Sequence, residues 1–148
     1  MLTLHRIVET RATPEAAYAY LADFENAARW DSGTISCRRV SGDGGPGTVY
    51  RNVSRFAGRE VELDYTVERQ QAPIFVVVGQ NATTTSHDTI EVHPRGTGSA
   101  VSYTAAFTFR GLARFLGPIM VPLLNRLGDR TADQLRRCLD ALADADQR

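Results

Sequence analysis

The sequence predicts an α+β fold in which a curved antiparallel sheet of about seven strands surrounds a long C-terminal helix. Three observations support this prediction. Between residues 34 and 109, strand-like segments follow one another with only short turns, which implies antiparallel neighbours. Two short helical segments separate the first strand from the others. Apolar residues then recur at helical spacing for about thirty residues near the C-terminus.

Length and charge narrow the class of protein. The chain has 148 residues, so we expect one domain, residues 1–148. Its 17 Lys and Arg balance its 17 Asp and Glu, which supports neither a nucleic-acid partner nor an anionic membrane surface. The longest apolar run, residues 74–78, is too short to span a bilayer, so stable membrane insertion is not predicted. The N-terminus lacks the order of a signal peptide, which favours a cytoplasmic location, and the composition indicates no oligomeric state.

The elements can be placed from their boundary signals. Residues 1–12 predict a strand, and Thr13-Pro14-Glu15 then has the pattern of a helix start, with Thr as N-cap and Pro at the first helical position. A second short helix is predicted at residues 25–30. The remaining strands are predicted at residues 34–40, 48–56, 61–68, 74–80, 84–92 and 101–109.

The C-terminal helix provides the argument for a binding site. Its apolar residues keep a helical period from Leu112 to Leu142, and Pro118 and Pro122 predict a kinked front end. A strongly twisted sheet curls, and only this helix is long and apolar enough to cover the concave face. A helix lying across a curled sheet rarely fills the whole concavity. The layout therefore predicts a cavity that binds an apolar small molecule.

Two stretches resemble a known family. The first stretch is Ala12–Asn26, followed by Trp30; it begins with Ala-x-Pro-Glu and continues with Tyr-Leu-x-Asp-Phe-x-Asn, a run that is common in the family. The second stretch, Gly42–Val49, is similar to the glycine-rich loop of Bet v 1-type plant proteins. These stretches, with the early prolines of the last helix, resemble the START/Bet v 1-like (SRPBCC) superfamily, in particular the bacterial polyketide cyclase/dehydrase and lipid-transport group. The resemblance extends over nearly all 148 residues and implies the helix-grip fold.

Three apparent motifs do not predict chemistry. Gly42, Gly44 and Gly47 satisfy a dinucleotide pattern, but a strand follows them where a helix is needed, so no cofactor is predicted. Ser86-His87-Asp88 has the residue types of a hydrolase triad, but neighbours on a strand point to opposite faces. His87 lies too far along its strand from His93 to share a metal ion, so no metal site is predicted.

Asp88 is the candidate catalytic residue. If Ile90 and Val92 point into the concavity, Asp88 and Ser86 do so as well. A carboxylate that faces an apolar cavity must be paired, hydrated or protonated. Two interpretations stay open: Asp88 anchors a ligand hydroxyl or acts as an acid or base, or it lies at the open end of its strand, near solvent or an arginine.

The other candidate ligand-binding residues follow from position. The only tryptophan is expected near the cavity rim, and three aromatic residues of the strands point inward by alternation. Three residues of the last helix, one of them aromatic, belong to its apolar stripe. Each aromatic residue could equally belong to the core. The predicted ligand-binding set is Trp30, Tyr65, Ser86, Asp88, Tyr103, Phe107, Phe115, Ile119 and Met120.

Three functions are compatible with this sequence. The leading hypothesis is a protein that binds a lipid, polyketide or aromatic metabolite. The second, implied by the resemblance, is a cyclase/aromatase or dehydratase that uses Asp88, Tyr65 and Tyr103. The third is a protein-interaction module such as a chaperone co-activator, which requires an exposed apolar patch. The outward strand positions are polar, which counts against such a patch on the sheet.

Overall fold

One antiparallel sheet contains all seven strands, in the order β1-β7-β6-β5-β4-β3-β2. The structure is a computed structural model and describes residues 1–148. Its strands are β1 (Leu2–Thr10), β2 (Thr34–Ser41), β3 (Val49–Phe56), β4 (Arg59–Gln71), β5 (Ile74–Gln80), β6 (Thr84–Arg95) and β7 (Gly98–Phe109). Its helices are α1 (Pro14–Ala22), α2 (Ala27–Trp30), α3 (Gly117–Asp146) and two 3-10 helices at Phe24–Asn26 and Gly111–Leu116. The predicted helix-grip fold is confirmed.

The predicted start of α1 is confirmed in detail. The Thr13 side chain accepts a hydrogen bond from the Ala16 backbone amide at 3.2 Å, and Pro14 occupies the first turn. The glycine run between β2 and β3 forms their connecting loop. Gly42, Gly44 and Gly47 all have positive φ there, which explains why glycine is needed at these turns.

Strand β6 is longer than predicted, because the turn expected at residues 94–98 is shorter. Pairing with β5 ends at Glu91, and beyond that residue β6 continues along β7 as far as Arg95. Pro94 lies in this last part, which is flanked by only one strand. Because β5 does not pair with this part of β6, the missing amide of Pro94 removes no hydrogen bond to β5, and the strand continues through the proline.

The front part of the predicted C-terminal helix is a separate 3-10 helix. A 3-10 helix at Gly111–Leu116 precedes α3. Pro118 lies in the first turn of α3, where the missing amide has no intrahelical partner to lose, so it begins the helix and does not interrupt it. Pro122 lies inside the helix. None of the helices is long and apolar enough to cross a membrane.

The core occupies the part of the concave face beside the short helices. The Phe24 ring lies 5.0 Å from Tyr65, 5.8 Å from Tyr50, 6.2 Å from Phe75 and 6.4 Å from Trp30, measured between ring centroids. Helix α3 covers the rest of the face. Its buried residues recur every three or four positions and are Leu124, Gly128, Thr131, Leu135, Leu139 and Ala143.

Candidate functional site

A cavity of about 150 Å³ lies between the sheet and α3. Side chains from β1, β3, β4, β6, β7 and the first two thirds of α3 form its wall. Fourteen of the 22 wall residues are hydrophobic, so the cavity favours an apolar guest. A dry cavity of this volume takes one benzene-sized ring. The predicted space under the C-terminal helix is therefore present, although it is small.

Asp88 is buried in this wall and bonded by two hydroxyl groups. Its side chain is only 3% exposed. Ser86 Oγ donates to Asp88 Oδ1 at 2.5 Å, and the Tyr103 hydroxyl donates to Asp88 Oδ2 at 2.8 Å. Asp88 forms no ion pair. The sequence left open whether Asp88 lies at the open end of its strand, near solvent or an arginine. Its burial and its lack of an ion pair exclude that interpretation.

The sheet register explains how these three side chains meet. Ser86 and Asp88 are two residues apart on β6 and share its inner face. Tyr103 on β7 pairs with Ile90, one inward position further along β6 than Asp88. Its long side chain reaches back diagonally to the carboxylate, a separation that cross-strand neighbours of this size can span.

Gly79 positions the ring of Tyr65 and was not predicted from the sequence. Tyr65 pairs with Gly79, and Gly79 pairs with Ser86, so the three residues form one row across β4, β5 and β6. A Cβ atom at Gly79 would lie 2.6 Å from two atoms of the Tyr65 ring. The ring therefore lies flat over Gly79 towards Ser86. A lone glycine inside a strand of β-branched residues is the sequence signal that indicates such a close approach.

Asp31 is a second carboxyl group in the cavity wall; it is partly buried and was also missed by the sequence analysis. It accepts hydrogen bonds from the Gly33 amide at 3.1 Å, Thr34 Oγ1 at 2.9 Å and Thr131 Oγ1 at 3.2 Å. Thr131 belongs to α3 and also bonds Ser32 at 3.1 Å. Asp31 thus ties the loop after α2 to the helix that covers the cavity. Only its place in a turn was visible in the sequence.

Burial changes the acidity of the cavity groups. It raises the pKa of Asp88 to about 6, although the hydrogen bonds from Ser86 and Tyr103 act in the opposite direction. Burial also raises the pKa of Asp31. The pKa values of the Tyr65 and Tyr103 phenols are raised well above their ordinary value, first by burial and then by the charge of Asp88. With a pKa of about 6, Asp88 can exchange a proton near neutral pH.

The predicted ligand-binding residues divide into two groups. Six line the cavity, and their contact with a ligand stays a prediction: Tyr65, Ser86, Asp88, Tyr103, Phe107 and Met120. Three do not line it, and the positions expected for them were wrong: Trp30, Phe115 and Ile119.

Local structure explains these three errors. Trp30 is 1% exposed because the single turn of α2 packs inward. Its ring packs edge-on against the Tyr103 ring, with 5.7 Å between the ring centroids. Phe115 and Ile119 are 65% and 64% exposed. The 3-10 helix and the new helix start near Pro118 direct this part of the apolar stripe away from the sheet.

The curled sheet thus holds α3 in its concavity and leaves a cavity between the sheet and the helix. The chain belongs to the polyketide cyclase/dehydrase and lipid transport family, whose model matches residues 1–143. The predicted resemblance is thereby confirmed. No curated protein matches the sequence significantly.

Solved structures share the fold at low sequence identity. The protein TTHA0849 from Thermus thermophilus has a TM-score of 0.81 and 17% identity, over 95% of this chain and 99% of that one. A START superfamily protein from Mycobacterium smegmatis has a TM-score of 0.80 and 16% identity, over 95% and 98%. The Zhui aromatase/cyclase from a Streptomyces species has a TM-score of 0.79 and 12% identity, over 94% and 93%. At these identities the likeness concerns the fold alone.

The raised pKa of Asp88 predicts a pH-dependent stability. Between about pH 4 and pH 6 the unfolded chain has released this proton while the folded chain still holds it, so the free energy of unfolding falls as the pH rises. Over the whole pH range, this one group lowers the free energy of unfolding by about 3 kcal/mol. Asp88→Asn removes this effect, so the stability lost between pH 4 and pH 7 should be smaller by about 2 kcal/mol. Urea unfolding at both pH values measures the difference.

Asp133→Asn is the matched control, because Asp133 is exposed on α3. It should follow the wild-type pH dependence. An Asp88→Asn variant whose stability falls with pH as steeply as that of the wild type would show that the carboxyl ionises freely in the folded protein.

Proposed function

We propose that this protein binds a small apolar molecule that carries one hydroxyl or similar polar group, in the cavity between the sheet and α3. The observation that carries the proposal is the buried carboxyl group of Asp88 in an otherwise largely apolar wall. A carboxylate has about four lone-pair positions. Ser86 and Tyr103 use two of them. The others can accept a hydrogen bond from a ligand.

The cavity volume favours an aromatic metabolite over a whole lipid. A volume of about 150 Å³ suits a single ring, or the terminal ring of a longer molecule. The rings of Tyr65 and Phe107 line the same cavity, and aromatic walls favour aromatic guests through offset and edge-on packing. The family description, which names polyketide cyclases and lipid transport, supports an apolar or polyketide-derived ligand.

Phenol and toluene, which are nearly equal in size, test the cavity and its carboxyl group. Affinity for phenol should rise about threefold between pH 5 and pH 7.5, because ionised Asp88 accepts the stronger hydrogen bond. Affinity for toluene should not change. Ala132→Leu adds carbon atoms to the cavity wall and should weaken both ligands about tenfold. Isothermal titration calorimetry measures all of these affinities.

Thr108→Leu is the control for the added bulk, because Thr108 is exposed on β7. It should bind both ligands like the wild type. Equal effects of the two leucine variants, or the absence of any binding, would rule out the cavity as the binding site.

A second candidate function is proton-transfer catalysis on a polyketide, as in a cyclase/aromatase or dehydratase. The observation that favours it is a carboxyl group with a pKa of about 6 beside two phenols in an apolar cavity. The Asp88 carboxylate would take a proton from a carbon next to a ketone, and a phenol such as Tyr65 would donate to the ketone oxygen. The name of the Zhui aromatase/cyclase, which shares the fold, supports this candidate.

Asp88→Asn distinguishes catalysis from binding. If Asp88 is the base, turnover of a linear β-polyketone should rise as the pH passes about 6. The variant should then lose at least about a hundredfold in kcat. Tyr103→Phe should move the pH midpoint upward, because the lost hydrogen bond lowers the pKa of Asp88 in the wild type. An Asp88→Asn variant with changed affinity and unchanged turnover would leave binding as the function.

A further inference from the structure

Exposed apolar side chains are concentrated in one short segment, residues 111–121, which we call the apolar segment. Nine large hydrophobic side chains of the chain remain exposed, and five of them lie here. They are Leu112 at 85%, Phe115 at 65%, Leu116 at 48%, Ile119 at 64% and Val121 at 40% exposure. Such a concentration on a surface is typical of an interaction site.

Most of these side chains share one side of the segment. Leu112, Phe115, Leu116 and Ile119 are separated by three or four residues, across the 3-10 helix and the first turn of α3. The 3-10 helix has no fully buried residue and packs mainly on its neighbours in sequence, β7 and α3. The segment thus presents a continuous apolar stripe to the surroundings.

The sequence that contains and flanks this stripe carries positive charges and no negative ones. No Asp or Glu occurs between Glu91 and Asp129, whereas Arg110, Arg114 and Arg126 all lie in this interval. None of these three arginines forms an ion pair. The chain as a whole has zero net charge, so the excess of positive charge belongs to this stretch of the sequence.

The apolar segment is also continuous with the cavity. Phe109, just before it, and Met120, within it, both line the cavity wall. A partner that covers the segment would therefore lie next to the residues that border the cavity at this end. An apolar ligand could enter from such a partner without crossing water.

We propose that the apolar segment docks this protein reversibly on the surface of an anionic lipid bilayer. Phe115, Ile119 and their neighbours enter the boundary between headgroups and acyl chains, and the arginines contact lipid phosphates. The Arg114 guanidinium lies 4.8 Å from the Phe115 ring centroid, so charge and apolar surface are adjacent there. This interfacial docking needs no membrane-spanning helix, and it does not rest on the proposed cavity ligand.

A bilayer fits this surface better than a second copy of the chain. In a symmetric dimer the same patch meets itself, so the arginines of one copy would face those of the other. Like charges at an interface core are unfavourable, whereas anionic headgroups neutralise them.

Vesicle flotation of the full chain tests the proposal. Vesicles of phosphatidylcholine are compared with an equimolar mixture of phosphatidylcholine and phosphatidylglycerol. We expect binding to the anionic vesicles and weaker binding to the neutral ones. The double variant Phe115→Ser/Ile119→Ser should lower partitioning into anionic vesicles by about tenfold or more. Arg114→Glu should lower it by at least about fivefold on anionic vesicles only.

The matched control is the double variant Ile7→Ser/Ile35→Ser. These side chains are 61% and 50% exposed, but they lie on the sheet, far in sequence from the apolar segment. It should float like the wild type, and circular dichroism should show that all variants are folded. Absence of flotation, an equal loss in the control, or a dimer or protein complex that requires the segment without vesicle binding would overturn the proposal.

Discussion

A seven-stranded curled sheet offers a wider concave face than one helix can fill. Helix α3 lies close to one side of that face, against β1. The approach is so close that a Cβ atom at Gly128 would lie 2.7 Å from Leu4 Cδ1. Because the helix lies on this side, it leaves a space over the rest of the concave face, chiefly over β7, β6, β4 and β3. The core, the cavity and the position of every group in the cavity wall depend on this asymmetric placement.

Asp88 is the residue that packing alone does not explain. Leaving an ionised carboxylate in an apolar interior costs on the order of several kcal/mol, unless hydrogen bonds and protonation reduce the cost. Ser86 and Tyr103 supply two hydrogen bonds, and the raised pKa of the carboxyl group shows that a cost remains. An apolar side chain at this position would serve stability better. A strongly perturbed acid that lines a cavity is a common feature of functional sites, and this supports the ligand contact proposed for Asp88.

Much of this architecture could be predicted from local patterns, and the errors have a common physical origin. Alternation along β6 correctly placed Asp88 on the inner face, because the side-chain period of a strand is independent of its neighbours. Helical periodicity grouped Phe115 and Ile119 with the covering stripe, but it does not determine which way a short segment turns. Gly79 and Asp31 act through contacts across strands and between a loop and α3, which no local pattern contains.

The central claim is that a single-ring guest occupies the space beside Asp88 and bonds its carboxylate. A crystal structure with 4-bromophenol tests it most directly, because anomalous scattering locates the bromine without ambiguity. The account predicts bromine inside the cavity, between α3 and β6, with the phenol oxygen within hydrogen-bond distance of Asp88. Side chains that close the cavity completely, or bromine bound only outside it, would contradict the account.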